Sequence, residues 1–354
     1  MGKQNRDYFK LFSCCLLAKG FLRSIIVDHQ RQTYDFIPNS LYEILTVNKS
    51  KSLDQIKSIY DSEYHEIIDE YFAFLSSKEY IHFCKKNELV CFPEMSHDFN
   101  EPALITNSII DFNEYSNFDI LPVLKQLESL GCRNIEFRMF NSIKIDELCY
   151  LLDKFENTAF SCIMLVIKYS VELDELIIKE IVDKFIRINT VTVYSAPVSQ
   201  IVKLDSSGMG NIVYIQQHIT DASHCGFISP EIFSLDLVTY LESQKHNTCL
   251  NRKISIDVNG EIKNCPSMIK SYGNIKDTTL KEAIEKQGFK DVWFIHKDQI
   301  EVCKDCEFRH ICTDCRVYIQ NPNDIYSKPA KCSYDPYTAT WGDANLTNNP
   351  LYGN

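Results

Sequence analysis

The 354-residue sequence has no apolar run close to the roughly 20 residues that a membrane-spanning helix requires. Its nearest apolar run, residues 11–18, is short and closely flanked by Asp7 and Lys19, so we expect a buried strand there rather than an export signal. Runs of Lys or Arg are also missing, and 37 basic against 48 acidic side chains give a net charge of −11. Neither a membrane nor a nucleic acid is therefore expected as a partner, and we expect a cytoplasmic protein.

Common catalytic motifs are missing as well. The sequence contains no P-loop, no GxGxxG after a predicted strand, no HExxH and no GxSxG, so motifs assign no catalytic residue. With 45% hydrophobic and 24% charged residues, the chain nevertheless has ordinary globular composition, and its length allows roughly two to three domains.

Cysteine, in contrast, is abundant: the chain has 15. Because this number is odd, pairing the cysteines in disulfides would leave at least one unpaired. Seven are scattered among apolar residues and are interpreted as small core side chains: Cys14, Cys15, Cys84, Cys91, Cys132, Cys149 and Cys162. The other eight lie nearer the C-terminus: Cys225, Cys249, Cys265, Cys303, Cys306, Cys312, Cys315 and Cys332. In a cytosolic protein, such clustering indicates a metal or metal-cluster site.

Residues 1–97 are predicted to form an α+β unit with a winged-helix-like order of elements. Strands are expected at 21–27 and 33–37, then three helices, then a hairpin that pairs 80–83 with 89–92. This order is similar to that of leader-recognition domains, which bind an extended peptide along a sheet edge. The strand at 21–27 or the one at 89–92 would offer that edge, and an ordinary packed appendage is the alternative.

Residues 98–245 repeat strand then helix. Strands are predicted at 104–110, 134–140, 161–167, 190–194 and 211–216, and helices at 119–130, 145–155 and 173–188. A strand-to-strand spacing near 30 residues is typical of a parallel sheet or a partial βα barrel.

Residues 246–342 change pattern and carry most of the clustered cysteines. Asn259-Gly260 predicts a type I′ hairpin, and the hairpin would bring Cys249 and Cys265, at its two ends, toward one site. In the run Cys303-x2-Cys306-x5-Cys312-x2-Cys315, five residues separate the two CxxC pairs, fewer than usually separate the two pairs of a zinc site. Together with Cys332 these are seven candidate thiolates, too many for one tetrahedral metal, so we favour two iron–sulfur sites over structural zinc. Residues 343–354 are expected to form a flexible tail.

The spacing Cys249-x10-Gly260-x4-Cys265, followed by the double CxxC and Cys332, resembles the SPASM domain, a module of peptide-modifying radical S-adenosylmethionine enzymes. Further stretches resemble one subfamily, the SPASM protein of grasp-with-spasm systems, which is encoded beside an ATP-grasp ligase and a short precursor peptide. These stretches are CEFRHICTDCR (306–316), DIYSKP (324–329), and RS, DHQRQ and FIPNS within 23–40.

The resemblance implies two [4Fe–4S] clusters. One would be held by Cys303, Cys306, Cys312 and Cys332, and the other by Cys249, Cys265, Cys315 and a fourth ligand that the pattern does not identify. Candidates for the fourth ligand are Cys225 and His246, and an open or solvent-ligated iron is the alternative. Two residues separate Cys312 from Cys315 where the family usually has three. His310, two residues before Cys312, could tune a cluster by hydrogen bonding.

The resemblance also implies a barrel of radical S-adenosylmethionine type, but one that is degenerate. CxxxCxxC, which holds the cluster that cleaves S-adenosylmethionine, occurs nowhere in the sequence. The chain reads Asp111-Phe-Asn-Glu-Tyr115 where that motif would stand, and Phe137-Arg-Met-Phe140 replaces the expected Gly-Gly-Glu. S-adenosylmethionine is therefore not expected as a cofactor.

These observations predict a peptide maturase with three parts and two iron–sulfur clusters. It would act on a ribosomally made precursor peptide together with an ATP-grasp ligase. One alternative is a non-catalytic, precursor-binding scaffold whose clusters, or zinc ions, are purely structural. A redox protein that passes electrons to another partner is a third possibility.

Overall fold

The computed structural model describes residues 7–203 and 210–342, so the predicted tail at 343–354 lies outside the described residues. Within the described ranges, no helix is long and apolar enough to cross a membrane.

The N-terminal unit contains two small antiparallel arrangements and three helices. Its elements are β1 (Tyr8–Leu11), β2 (Cys15–Lys19), β3 (Arg23–Asp28), β4 (Thr33–Pro38), α1 (Asn39–Val47), α2 (Leu53–Lys57), α3 (His65–Ser77) and β5 (Ile81–Cys84). Strands β2, β3 and β4 form one sheet in that order, and β1 pairs with β5. Ser52 begins α2 with the capping box that its spacing to Gln55 encodes. Leu41, Ile44 and Phe72 pack in one apolar core beneath these strands.

Two sequence expectations for this unit are wrong. Strand β3 is the central strand of its sheet because β2 covers its other side, so residues 21–27 offer no free edge. Residues 89–92 form no strand: Lys86–Cys91 is a 3-10 helix, closed by a hydrogen bond from the Lys85 amide to Glu88. The partner of β5 is β1, more than 60 residues upstream, which local turn signals do not encode.

The middle of the chain builds a large sheet, and the predicted α/β class is confirmed. Its elements are β6 (Asn107–Phe112), α4 (Ile120–Ser129), β7 (Asn134–Met139), α5 (Ile145–Asp153), β8 (Cys162–Lys168), α6 (Glu175–Lys184), β9 (Ile188–Tyr194), β10 (Gln200–Lys203) and β11 (Asn211–Tyr214). Five strands are parallel neighbours, as the spacing predicts: β6, β7, β8, β9 and β11. Strand β10 pairs antiparallel with β11 at the edge of the sheet, and the spacing does not predict this strand. The helices α4–α6 bury apolar side chains in one core with Ile135 and Phe137 of β7.

The C-terminal segment is continuous with this sheet. Its elements are α7 (Leu237–Ser243), β12 (Lys253–Ile256), β13 (Ile262–Lys263), α8 (Leu280–Glu285), β14 (Tyr334–Asp335) and β15 (Thr340–Trp341). Strand β12 pairs with β6, which gives the order β10-β11-β9-β8-β7-β6-β12-β13. The predicted β12–β13 hairpin is present, but its turn is not type I′, because Gly260 has a φ of +82° while Asn259 has no positive φ.

Candidate metal centres

Four of the predicted ligands line one cavity near the C-terminus: Cys303, Cys306, Cys312 and Cys332. Cys303 and Cys306 lie at the two ends of a 3-10 turn, the compact geometry that a CxxC spacing allows. The preceding Val302 has a φ of +65°, a strained value for a β-branched residue. The loop thus stores backbone strain next to the pair of thiols.

A buried lysine accompanies this first set of sulfurs. Lys297 is 3% exposed, and its Nζ lies 3.5 Å from Cys312 Sγ and 3.7 Å from Asp314 Oδ1. Burial opposes a charge on Lys297, but the neighbouring Cys312 and Cys303 raise its pKa well above the ordinary value. Burial also raises the pKa of the Cys312 thiol to about 12, although Lys297 acts in the opposite direction. Lys297 thus places one positive charge beside the sulfurs of this set.

A second set of cysteines converges beside the β12–β13 hairpin. Cys249 precedes β12 and Cys265 follows β13, and the pKa of Cys265 is raised by Cys225, by burial and by Cys249. Burial raises the pKa of Cys315, and Cys249 adds to the shift, so this thiol faces the same group. The structure thus brings together the three predicted ligands of the other site, with Cys225 beside them.

This second set also has its own lysine. Nζ of Lys253 lies 3.6 Å from Cys249 Sγ. Although burial opposes a charge on Lys253, Cys249 and Cys265 raise its pKa. Each set therefore combines thiols with one cation, which suits an anionic cluster of iron, sulfide and four thiolates.

The spacing of the sulfurs tests which metal group they fit. A tetrahedral zinc ion with bonds of about 2.3 Å holds its sulfurs less than about 4 Å apart. Among the described residues, no three of these cysteines bring their sulfurs within 4.8 Å of one another. A cubane cluster spreads its four thiolates over four iron atoms and needs this wider spacing. The spacing of the described sulfurs thus does not match a closed tetrahedral zinc site.

One compact group was not expected from the sequence, which assigned Cys14 and Cys15 to the core. Their sulfurs lie 3.9 Å apart, and with a carboxylate oxygen of Asp28 they form a group that could hold an ion. That carboxylate already accepts hydrogen bonds from the amides of Gln30 and Arg31. Asp28 thus closes the β3–β4 turn, and Cys15 remains a core side chain that is 1% exposed.

A buried ion pair links two neighbouring strands of the large sheet, β6 and β7. Asp111 on β6 and Arg138 on β7 are direct register partners, and Nε and Nη2 of Arg138 donate to the two carboxylate oxygens at 2.7 and 2.8 Å. Burial opposes the charge on Arg138, but the hydrogen bonds to Asp111 raise its pKa above the ordinary value. The pair lies on the sheet face opposite the apolar Phe137.

One protein family matches part of the chain. Residues 248–307 match the SPASM family. Its model describes an iron–sulfur cluster-binding domain, and the matched stretch contains Cys249, Cys265, Cys303 and Cys306. No curated protein matches the chain.

Two solved structures of Streptococcus suis SuiB align with the chain. The structure with bound S-adenosylmethionine has a TM-score of 0.33 at 11% identity, and the alignment covers 87% of this chain and 96% of SuiB. The structure with bound precursor peptide SuiA has a TM-score of 0.32 at 10% identity, over 91% and 98% of the two chains. TM-scores this low do not establish a common fold.

The histidines near the SPASM segment contact other groups. His246 packs against Phe99 and Phe294. His310 is buried, which lowers its pKa to about 4, and its Nδ1 lies 3.1 Å from Ser243 Oγ. Neither of these contacts involves a cysteine.

The N-terminal unit docks on the CxxC loop of the SPASM segment. Arg23 donates from Nε to Glu307 at 2.8 Å, and Glu307, which is 1% exposed, also accepts from Tyr334. The amide of Phe21 donates to the carbonyl of Asp305 at 2.8 Å. The β2–β3 turn and the loop between Cys303 and Cys312 therefore hold each other in place.

A cleft of about 660 Å³ opens between the N-terminal unit and the C-terminal segment. One wall comes from β1 and β2, each the outer strand of its own sheet. Lys10, Lys49 and Arg309 place positive charge in the cleft, and Glu94 and Asp298 place negative charge there. An extended peptide with charged and apolar side chains would fit such a lining.

Proposed function

We propose that this chain is an iron–sulfur protein that takes part in maturation of a ribosomally made precursor peptide together with an ATP-grasp ligase. The observation that carries the proposal is the convergence of the clustered cysteines into two sets, each beside its own lysine. The SPASM match supports the iron–sulfur assignment, with Cys303, Cys306, Cys312 and Cys332 in one site and Cys249, Cys265 and Cys315 in the other. The ligase follows from the subfamily resemblance alone.

The proposed activity does not include cleavage of S-adenosylmethionine. That reaction needs three thiolates after the first barrel strand, and β6 instead carries Asp111, paired with Arg138. With S-adenosylmethionine and a strong reductant, the protein is expected to form no 5′-deoxyadenosine. Formation of 5′-deoxyadenosine would contradict this part of the proposal.

The proposed binding site for the precursor is the cleft beside β1 and β2. An edge strand offers backbone N–H and C=O groups to an added strand, and the cleft offers pockets for alternate side chains. Replacing Arg309 would disturb the N-terminal docking, because its Nη1 donates to the carbonyl of Lys19. Lys49→Glu and Lys10→Glu are better probes, because each reverses one positive charge of the cleft lining and is therefore expected to change the affinity for the precursor. Unchanged binding by both would exclude this cleft.

The role of the clusters is tested with the double variant C303A/C306A, co-expressed with precursor and ligase. Cys149 and Cys162 are partly buried cysteines outside both sets, so C149A/C162A is a matched control. If the clusters act in chemistry, a folded C303A/C306A protein binds the precursor but yields no modified product. The control is expected to yield as much product as the unsubstituted chain.

A precursor-binding scaffold is the second candidate, and the docking contacts favour it. Because the CxxC loop holds Arg23 and Phe21, a cluster there would also fix the N-terminal unit against the sheet. In this case C303A/C306A loses precursor binding and its folded N-terminal contacts together. Limited proteolysis of the variant separates the two candidates.

A further inference from the structure

Cys225 lies among the sulfurs of the second set, although 23 residues separate it from Cys249 in the sequence. It follows the 3-10 turn Ala222–His224, and the neighbouring Cys265 thiol lowers the pKa of the Cys225 thiol. Its Sγ lies 3.5 Å from Ser267 Oγ. A Cβ on the next residue, Gly226, would lie only 2.9 Å from Cys315 Sγ. The Cys225-Gly226 backbone thus lies directly against the Cys315 sulfur.

The loop that carries Cys225 is fixed from two sides. Nζ of Lys331 donates to the Cys225 carbonyl at 2.7 Å and also contacts the Ser223 carbonyl. Lys331 directly precedes Cys332, which belongs to the first set of sulfurs. On the other side, Ser267 Oγ donates to the Ala222 carbonyl at 2.8 Å. These bonds hold Cys225 in place, as a ligand requires.

The buried ion pair of the sheet faces the same thiol. Arg138 lowers the pKa of the Cys225 thiol, and it also lies 3.8 Å from a carboxylate oxygen of Glu136. Its two bonds to Asp111 fix the plane of the guanidinium. Arg138 thus places one positive charge near Cys225, and Lys253 places another beside Cys249.

We propose that Cys225 is the fourth thiolate ligand of the cluster held by Cys249, Cys265 and Cys315, and that Arg138 is a positioning residue for that ligand. The inference rests on the proposed iron–sulfur function. On binding iron, the Cys225 thiol gives its proton to solvent, and the positive charge of Arg138 stabilises the thiolate. Because Gly226 lies against Cys315 Sγ, whereas His246 packs against Phe99 and Phe294, Cys225 is preferred to the open iron and to the His246 ligand considered from the sequence.

The ligand assignment is tested on the full chain with C225A and C225S, and with C149A as the matched control. The unsubstituted protein and C149A are expected to contain about eight iron and eight sulfide per chain. C225A and C225S are expected to lose about half of both, or to hold a three-iron cluster that is paramagnetic when oxidised. C225S is the milder change, because its hydroxyl can keep the contact with Ser267.

The outcomes separate the ligand from the proposed function. An unchanged iron content and an unchanged reduced-state EPR spectrum in C225S would overturn the assignment of Cys225 and leave the function standing. An unsubstituted protein without iron or sulfide would overturn both.

The positioning role of Arg138 is tested by the reduction potential of this cluster. Removing a cation from a thiolate ligand disfavours the extra electron, so R138Q is expected to shift the potential to a more negative value. Arg187→Gln is the matched control, because Arg187 binds the carbonyls of Phe155 and Thr158. D111N leaves the guanidinium without its anionic partner, so it is expected to shift the potential in the opposite direction, to a more positive value. An unchanged potential in both R138Q and D111N would refute the role.

Discussion

Two glycines with nearly the same backbone angle allow a controlled test of the second cysteine set. Gly226 has a φ of +83° and Gly260 a φ of +82°, so alanine at either position adopts a left-handed conformation that costs roughly 1–2 kcal/mol. At Gly226 the added Cβ would lie 2.9 Å from Cys315 Sγ and 3.0 Å from Tyr318 Cδ2. At Gly260 its nearest neighbour is Ile275 Cγ1 at 3.1 Å, the side chain of a residue outside both sets.

The difference between the two variants isolates the contact with the sulfur. Overpacking in a closed site costs about 1–3 kcal/mol, and both variants crowd a neighbour, but only G226A crowds a sulfur of the second set. If the displaced sulfur is a ligand, that energy corresponds to a roughly 5- to 140-fold weaker hold on one cluster.

The assay is the release of iron to a chelator under anaerobic conditions, followed at the visible charge-transfer band. G226A is expected to release about half of its iron much faster than the rest, whereas G260A behaves like the unsubstituted chain. Equal release from G226A and G260A would refute the claim that Cys315 holds a cluster beside Gly226.

Three further predictions concern the other set and its surroundings. Lys297→Met removes a buried cation 3.5 Å from Cys312, so voltammetry is expected to show a more negative potential for one cluster, and an unchanged potential would contradict this. Glu307→Gln weakens the bond to Arg23 and is expected to cost about 1–3 kcal/mol, seen as a lower thermal midpoint and faster tryptic cleavage. Chelation of the metal is expected to raise hydrogen exchange within residues 303–332 but not in β6–β9. An equal rise in both regions would contradict local stabilisation of residues 303–332 by the metal.

The large sheet was predictable because its signals are local. Each βα unit repeats an apolar strand and an amphipathic helix at a near-constant spacing, and this regularity places β6–β9 side by side. The 3-10 helix at Lys86–Cys91 was missed because the strand that pairs with β5 lies at the start of the chain. Pairing across such a distance depends on packing rather than on turn residues.

The candidate site also combines features that local sequence signals predict with features that they do not. The CxxC spacings and the hairpin beside Gly260 encode short-range geometry, but the division of the seven cysteines into two sets followed from the family resemblance. In the structure, Cys303, Cys306, Cys312 and Cys332 line one cavity. Cys225 has no spacing signal, because it reaches its set through a loop held by Lys331. The pairing of Asp111 with Arg138 depends on the register of two strands, which composition and periodicity do not specify.

The most direct test of the account is the content of iron, zinc and acid-labile sulfide per chain after anaerobic purification, recorded with the visible spectrum. Two [4Fe–4S] clusters predict about eight iron and eight sulfide with brown charge-transfer absorption. One or two zinc ions without sulfide would contradict the iron–sulfur assignment and leave a zinc-stapled peptide-binding protein.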